Sequence, residues 1–264
     1  MSAPDATTPN TATPGAARLA EGLREHTAGM ADAVTGRDPA APVPTCPEWR
    51  LRDLVGHIGQ AHRWAAGLVL TGEADAIANT ADAEAGPVEA WPGWLREGAE
   101  ALAGAVEDRG PETLVRTFLG PLPAAFWLRR MLHDTSVHHA DAALAAGVPF
   151  AIAPDLAADA ITEGLQLMTS PRAVTIKPEL AALRGHGETL HLRADDLAEP
   201  GWLITREPDG PIFEHAAGEG TVMVSAPVRE LLLMLTRRLS PEEAGAEITG
   251  ERAELDLWLA NTAF

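Results

Sequence analysis

Four stretches of helical periodicity in the N-terminal half constrain the fold of this chain more than any other feature. Apolar side chains recur three or four residues apart between Leu19 and Val34, which predicts a helix over 16–34. The same periodicity predicts three further helices, over 47–70, 91–106 and 123–145. Four amphipathic helices in succession are typical of an antiparallel four-helix bundle.

The start of the second predicted helix carries a capping pattern. Thr45 stands three residues before Glu48, at the end of a proline-rich loop over 36–47. A Ser or Thr followed three residues later by Glu or Gln is the pattern of a capping box, in which the hydroxyl caps the helix. The pattern therefore predicts that this helix begins near Pro47.

Beyond Pro149 the pattern changes from helical to alternating. A connecting helix is predicted over 155–168. Short alternating runs then predict strands over 189–193, 202–205 and 220–224. The dipeptide Asp209-Gly210 predicts a hairpin turn between strands. Two last helices are predicted over 227–239 and 253–260. Together these elements predict a domain of mixed helices and strands with a mostly antiparallel sheet.

These patterns divide the chain into three parts. A segment rich in Thr, Pro and Ala over 1–15 is predicted to be a disordered tail. The four-helix bundle is predicted over 16–153, and a smaller α+β domain over 154–264. The fold class predicted from the sequence is therefore α+β with two domains.

The charge balance excludes several classes of partner. The 264 residues carry a formal net charge of −18, with a pI near 4.8, which disfavours phosphate backbones and anionic membranes. Cys46 is the one cysteine, so no disulfide can form within the chain. The N-terminus lacks a signal-peptide pattern, and no apolar run is long enough to span a membrane. We therefore expect a cytoplasmic protein with a small-molecule partner and no nucleic-acid or membrane partner.

Two metal-ligating residue types lie on one face of the fourth predicted helix. Asp134 and His138 are four residues apart, so their side chains project from the same face and can chelate one ion. A third donor must come from another helix, and His57 lies mid-way along the second one among apolar residues. Two histidines and one carboxylate leave one coordination position open, as in catalytic zinc sites.

The same residues also have an ordinary structural interpretation. Pairs of Asp and His at this spacing occur often by chance, and His57 taken alone fits a hydrogen-bonded core histidine. His62, His133 and His139 compete for any ligand role, although the last two are expected to face away as solvated or supporting groups. The spacing alone leaves the metal site and the structural interpretation open.

Three motifs stand out along the chain: Val43–Trp49 with Asp53–Gly59, Ala125–Met131 with His133–Asp141, and Leu231–Arg238 with Pro227, Asp256 and Trp258. They resemble the mycothiol-dependent maleylpyruvate isomerase family, over roughly residues 16–260. The first two motifs are fairly specific, and the third is similar to the C-terminal domain of that family.

The resemblance implies a DinB-like four-helix bundle that holds a divalent metal, expected to be zinc, with His57, Asp134 and His138 as ligands. This sequence departs from the family pattern at two nearby places. The family more often has Glu where Asp134 stands, so the carboxylate arm is shorter by one methylene here. Ala140 stands where the family more usually has Trp.

The resemblance also implies mycothiol, a low-molecular-weight thiol of actinobacteria, as co-substrate. A thiol bound to zinc is deprotonated, so its thiolate can add to a small electrophilic substrate. Addition and release would give cis–trans isomerisation, whereas retention would give S-conjugate transfer. Arg238 matches a family arginine that can hold a substrate carboxylate or enolate, although a cation at a helix C-terminus is favourable by itself.

Two other functions stay open on the sequence. One is a thiol-independent metal enzyme on the same scaffold, a hydrolase or cyclase that works through metal-bound water. The other is a non-catalytic metal-binding or stress-response protein that has kept the fold. Cys46 lies in a proline-rich turn and is predicted to be structural, so any thiol chemistry must come from a small molecule.

Overall fold

The computed structural model describes residues 13–73, 83 and 85–262. The chain forms two compact units, one over Gly15–Leu156 and one that includes Ala157–Phe264. Most of the tail predicted over 1–15 lies outside the described residues. No helix in the described part of the chain is long and apolar enough to cross a membrane.

The first unit is a four-helix bundle, as the helical periodicity predicts. Helix α1 packs against α3 and α4, and α2 packs against the same two helices. The helices are α1 Ala16–Val34, α2 Leu51–Thr71, α3 Trp91–Arg109 and α4 Ala125–Ala146. Fully buried leucines and alanines from all four helices form the core, and burial of each large side chain contributes about 1.5–3 kcal/mol.

Two glycines allow the helices to approach closely. At Gly59 on α2, an added Cβ would come within 1.9 Å of the Trp94 ring on α3. At Gly29 on α1, an added Cβ would come within 2.3 Å of the His139 ring on α4. These positions therefore exclude any side chain larger than hydrogen unless the facing ring moves.

Short hairpins precede α2 and α4. Strand β1 covers Pro42–Val43 and pairs with β2, Cys46–Arg50, in antiparallel fashion. Strand β3 covers Leu114–Thr117 and pairs with β4, Gly120–Pro123. The helical periodicity does not reveal either hairpin, because each strand is too short to show an alternating pattern.

The predicted start of α2 is wrong by about one turn. The residues from Cys46 to Arg50 form strand β2, and the helix begins at Leu51. The capping box is formed by Arg50 and Asp53, and the Arg50 backbone N–H donates to Asp53 Oδ2 at 2.8 Å. The Thr45 hydroxyl does not cap this helix, because it donates to a residue of α4 instead.

The second unit is an α+β fold, as predicted. Helix α5, Pro154–Met168, leads into it, and its five-stranded sheet has the order β7-β6-β5-β8-β9. Only the β5–β8 pairing is parallel, so the sheet is mostly antiparallel. The elements are α6 Ala173–Ile176, β5 Glu188–Ala194, β6 Trp202–Glu207, β7 Gly210–His215, β8 Val222–Ala226, α7 Val228–Leu235, β9 Glu247–Gly250 and α8 Arg252–Thr262.

The observed elements of the second unit differ from the predicted ones at two places. Helix α7 ends four residues earlier than the predicted 227–239, because Arg237 adopts a left-handed backbone with φ of 67°. Strand β9 has no counterpart in the prediction, since most of its residues are exposed and no apolar alternation marks it. The predicted turn is present: Glu207 pairs with Gly210, which places Pro208 and Asp209 in the loop.

Candidate metal centre

Helices α2 and α4 bring the three predicted metal ligands together. His57 projects from α2, while Asp134 and His138 project from α4 one turn apart. One potential ligand atom from each of the three residues lies within 4.8 Å of the other two. The His57 Nε2 atom is 3.3 Å from Asp134 Oδ2, and the His57 and His138 ring centroids are 5.0 Å apart.

This spacing fits a divalent metal. In a tetrahedral zinc site with bonds of about 2.0–2.2 Å, neighbouring ligand atoms lie roughly 3.3 Å apart. The separation of His57 Nε2 from Asp134 Oδ2 is 3.3 Å. Two imidazoles and one carboxylate also suit the borderline-soft first-row metals and leave coordination positions open. The donor set and its geometry therefore match a catalytic type of centre.

The electrostatic surroundings keep the Asp134 carboxyl ionised. Burial by itself acts to raise the pKa of Asp134. The hydrogen bond with His57 and the positive fields of His138 and Arg130 act against it, and the resulting pKa lies far below its ordinary range. The Arg130 guanidinium is 3.5 Å from Asp134 Oδ1. Asp134 is therefore a carboxylate at neutral pH, which is the form that binds a metal.

The Nδ1 nitrogen of His138 faces a buried carboxylate. It lies 2.7 Å from Asp141 Oδ2, and the Asp141 side chain is 0% exposed. Thr45 Oγ1 donates to Asp141 Oδ1 at 2.5 Å, and Cys46 Sγ lies 3.9 Å from Oδ2. Asp141 is thus surrounded by hydrogen-bond donors from two separate parts of the bundle.

A tryptophan covers the two histidines. The Trp49 ring centroid is 5.0 Å from that of His57 and 5.6 Å from that of His138, and its plane is tilted only 28° from the latter. Trp64 and Trp127 are placed differently, since they pack against each other in the bundle core. Trp49, in contrast, contacts the rings of both candidate ligand histidines.

The three competing histidines have other environments. His62 is fully buried and bonds Thr135 Oγ1 through Nε2 at 2.8 Å, and burial lowers the pKa of His62 to about 4. His139 faces His26 on α1, with the two Nδ1 atoms 3.1 Å apart. His133 is buried, which excludes the solvated position expected for it and leaves the alternative of a supporting group. These residues are absent from the metal-capable groups found among the described residues.

A second group of potential ligands shares one residue with the first. Cys46, His138 and Asp141 also offer ligand atoms within 4.8 Å of one another. In this group, however, Asp141 accepts from the Nδ1 side of His138 and from the Thr45 hydroxyl. These side chains are therefore already joined by hydrogen bonds. Asp141 is placed to hold His138 rather than to bind a separate ion.

Arg238 belongs to the second unit. It follows the C-terminus of α7, and its Nη1 atom donates to the Thr236 carbonyl at 2.6 Å. This bond anchors the side chain at the helix end, where a cation is favourable. A role for Arg238 towards substrate stays a prediction.

The sequence reasoning missed the roles of Asp141 and Thr45. A local signal was present for the first, because Asp141 is three residues from His138 and so lies on the same helix face. No local signal existed for the second. Thr45 and Asp141 are 96 positions apart in the chain, and only the packing of the first hairpin against α4 joins them.

Comparisons with known proteins agree with this fold. Residues 15–143 match a family model described as the mycothiol maleylpyruvate isomerase N-terminal domain. A crystal structure of the mycothiol-dependent maleylpyruvate isomerase is 15% identical, with a TM-score of 0.57 over 86% of this chain and 91% of that chain. The structure of a histidine-to-alanine mutant of that isomerase is 16% identical, with a TM-score of 0.54 over 90% and 95%. No curated protein matches the sequence.

Proposed function

We propose that this chain, whose residues 15–143 match the mycothiol maleylpyruvate isomerase N-terminal domain model, is a metal-dependent enzyme with mycothiol as co-substrate. Its reaction is the isomerisation of a small electrophilic substrate, or the transfer of the thiol to it. The observation that carries the proposal is the cluster of His57, Asp134 and His138, whose donor atoms have the spacing of metal ligands.

The three ligands define what the site can do. A zinc ion bound there would supply a Lewis acid that lowers the pKa of a coordinated thiol. His57 and His138 contribute no charge when neutral, and Asp134 contributes one negative charge, so a divalent ion retains a net positive charge that favours an anionic ligand. Protein ligands occupy three positions, and a small molecule can take the fourth.

Other residues of the same unit shape the approach to this position. Trp49 packs against the rings of both candidate ligand histidines. Arg130, beside Asp134, adds a second positive charge within reach of an anionic substrate. We also propose that Arg238 is a residue that holds a substrate carboxylate or enolate.

The first test is metal content and thiol binding. We expect the purified protein to bind about one zinc per chain and the His57→Ala variant to lose it, while the exposed His186→Ala variant keeps it. Mycothiol at one hundred times its Kd should stabilise the zinc-loaded protein by about 2.7 kcal/mol. Calorimetry and metal analysis give these quantities.

Two outcomes would contradict the proposal. A folded wild-type protein that binds no divalent metal at micromolar concentrations would remove the metal site. A zinc-loaded protein that mycothiol neither stabilises nor activates would instead indicate thiol-independent metal chemistry. The two results are distinct because the first is read without any thiol present.

A further inference from the structure

We propose that Asp141 is a positioning residue that fixes the orientation and tautomer of His138, so that the Nε2 nitrogen is presented to the metal. The proposal rests on the metal site proposed above and adds a residue outside its ligand set. It also assigns to the first hairpin, through Thr45, a part in building that site.

The first step of the argument is the tautomer. Asp141 Oδ2 lies 2.7 Å from His138 Nδ1, and a carboxylate can only accept a hydrogen bond. The proton of a neutral His138 therefore resides on Nδ1, which leaves the Nε2 lone pair available. A ligating histidine that donates its other N–H to a carboxylate is the usual arrangement in metal proteins, because the carboxylate orients the ring and raises its basicity.

The second step is the rigidity of Asp141 itself. Its side chain is 0% exposed, so an unpaired carboxylate there would carry a large desolvation penalty. The Thr45 hydroxyl donates to Oδ1 at 2.5 Å, while His138 lies against Oδ2. Both carboxylate oxygens thus have a donor, and the carboxylate cannot turn away from His138 without losing one of these bonds.

The third step concerns the ring of His138. The Trp49 ring lies nearly parallel to it, with a centroid distance of 5.6 Å. Thr45 directly precedes strand β2, and Trp49 lies within it. The same hairpin therefore bonds the Asp141 carboxylate and packs against the His138 imidazole. A flip of the His138 ring would keep its stacking on Trp49, but it would put the Cδ2 carbon in the place of Nδ1 and so lose the bond to Asp141.

The two candidate histidine ligands therefore differ in the polar groups that hold them in place. His138 has a buried carboxylate behind it, whereas the polar contact of His57 within the described residues is with Asp134, a ligand itself. A change at Asp141 should consequently weaken the site through His138 and leave His57 and Asp134 in place.

The experiment compares metal affinity in Asp141→Asn, Thr45→Val and the matched control Asp155→Asn. Asp155 is an exposed acid of the same unit that bonds Arg18. Zinc affinity is measured by competition with a chromophoric chelator, and the site geometry by the absorption spectrum of the cobalt-substituted protein. We expect a loss of affinity of about 10- to 100-fold for Asp141→Asn, a smaller but measurable loss for Thr45→Val, and no change for Asp155→Asn.

The cobalt spectrum provides the readout that a purely structural role would not move. For Asp141→Asn we expect a shifted ligand-field band, because the His138 nitrogen binds less strongly, while a double variant with Thr45→Val should lose less affinity than the sum of the two. Unchanged zinc affinity and an unchanged spectrum in folded Asp141→Asn would overturn the proposal. If that variant fails to fold, unchanged affinity in Thr45→Val overturns it.

Failure of this proposal is distinguishable from failure of the metal site. If wild-type protein binds no zinc, the site is refuted and the role of Asp141 with it. If wild-type protein binds zinc and Asp141→Asn binds it equally well, the site stands and only the positioning role is refuted.

Discussion

Two adjacent residues of α4 show how the partner of a histidine decides its chemistry. His138 has a buried carboxylate on Nδ1, and 12% of its side chain is exposed. His139 instead contacts His26, Phe150 and the backbone at Gly29. The polar partner of His138 is thus a carboxylate, whereas that of His139 is another imidazole.

The surroundings of His139 and its partner His26 decide the protonation of both rings. Burial, together with the neighbouring His139 and His133, lowers the pKa of His26 to about 3. Burial likewise lowers the pKa of His139 to about 4. Both rings are neutral at physiological pH, and their Nδ1 atoms, 3.1 Å apart, share one hydrogen bond. This side of α4 is therefore a packing surface, whereas the other side carries the candidate metal ligands Asp134 and His138.

The strongest way to break this comparison is to remove one residue from each side. Asp134→Ala should lower zinc affinity at least about a thousandfold, or about 4 kcal/mol, because one of three protein ligands is gone. His139→Ala should keep zinc affinity within about threefold while lowering the thermal midpoint, because it opens a cavity against α1. Chelator competition and thermal unfolding measure the two effects, and equal loss of zinc in both variants would contradict the division.

Acid should lower the free energy of unfolding through the histidines His26, His62 and His139. In the unfolded chain these histidines titrate near the ordinary pKa of 6.5, so the unfolded state binds more protons than the folded state below that pH. The stabilisation by neutral His26, His62 and His139 is complete above about pH 6.5 and is lost as the pH falls towards 4. Each histidine should contribute roughly 2 kcal/mol of loss between pH 6.5 and 5.

The measurement is the free energy of unfolding of the metal-free protein by denaturant at a series of pH values. His26→Leu should show a smaller drop over this range, whereas the exposed His186→Leu should behave as wild type. A drop of the same size in His26→Leu would mean that other groups cause the acid sensitivity.

The smallest expected effect tests the close approach of α1 to His139. Gly29→Ala should destabilise the protein by about 1–3 kcal/mol, because the new methyl overlaps the His139 ring. The matched control is Gly104→Ala on α3, where no atom lies within 4 Å of the added Cβ. That change should be neutral or stabilising by up to about 1 kcal/mol, since alanine is the better helix former. Similar effects at both positions would indicate that the interface adapts.

The sequence by itself determined the elements whose causes are local. Helical periodicity placed α1 at its observed bounds, and the spacing of Asp134 and His138 set both on one face of α4, because helix geometry fixes the direction of residues four apart. The position of His57 midway along the second helix made it the third candidate ligand, and the family resemblance supported that choice. The α+β fold class and the four-helix bundle followed from the helical periodicity and the alternating runs.

The tertiary structure decided everything that depends on distant partners. His57 contacts Asp134 only because α2 packs against α4. Likewise, Thr45 bonds Asp141 only because the first hairpin packs against α4. The Thr45 hydroxyl had two possible partners, a helix N-terminus next to it in sequence and a buried carboxylate far from it. The carboxylate is its partner because burial makes an unsatisfied charge more costly than a helix end that another residue can cap.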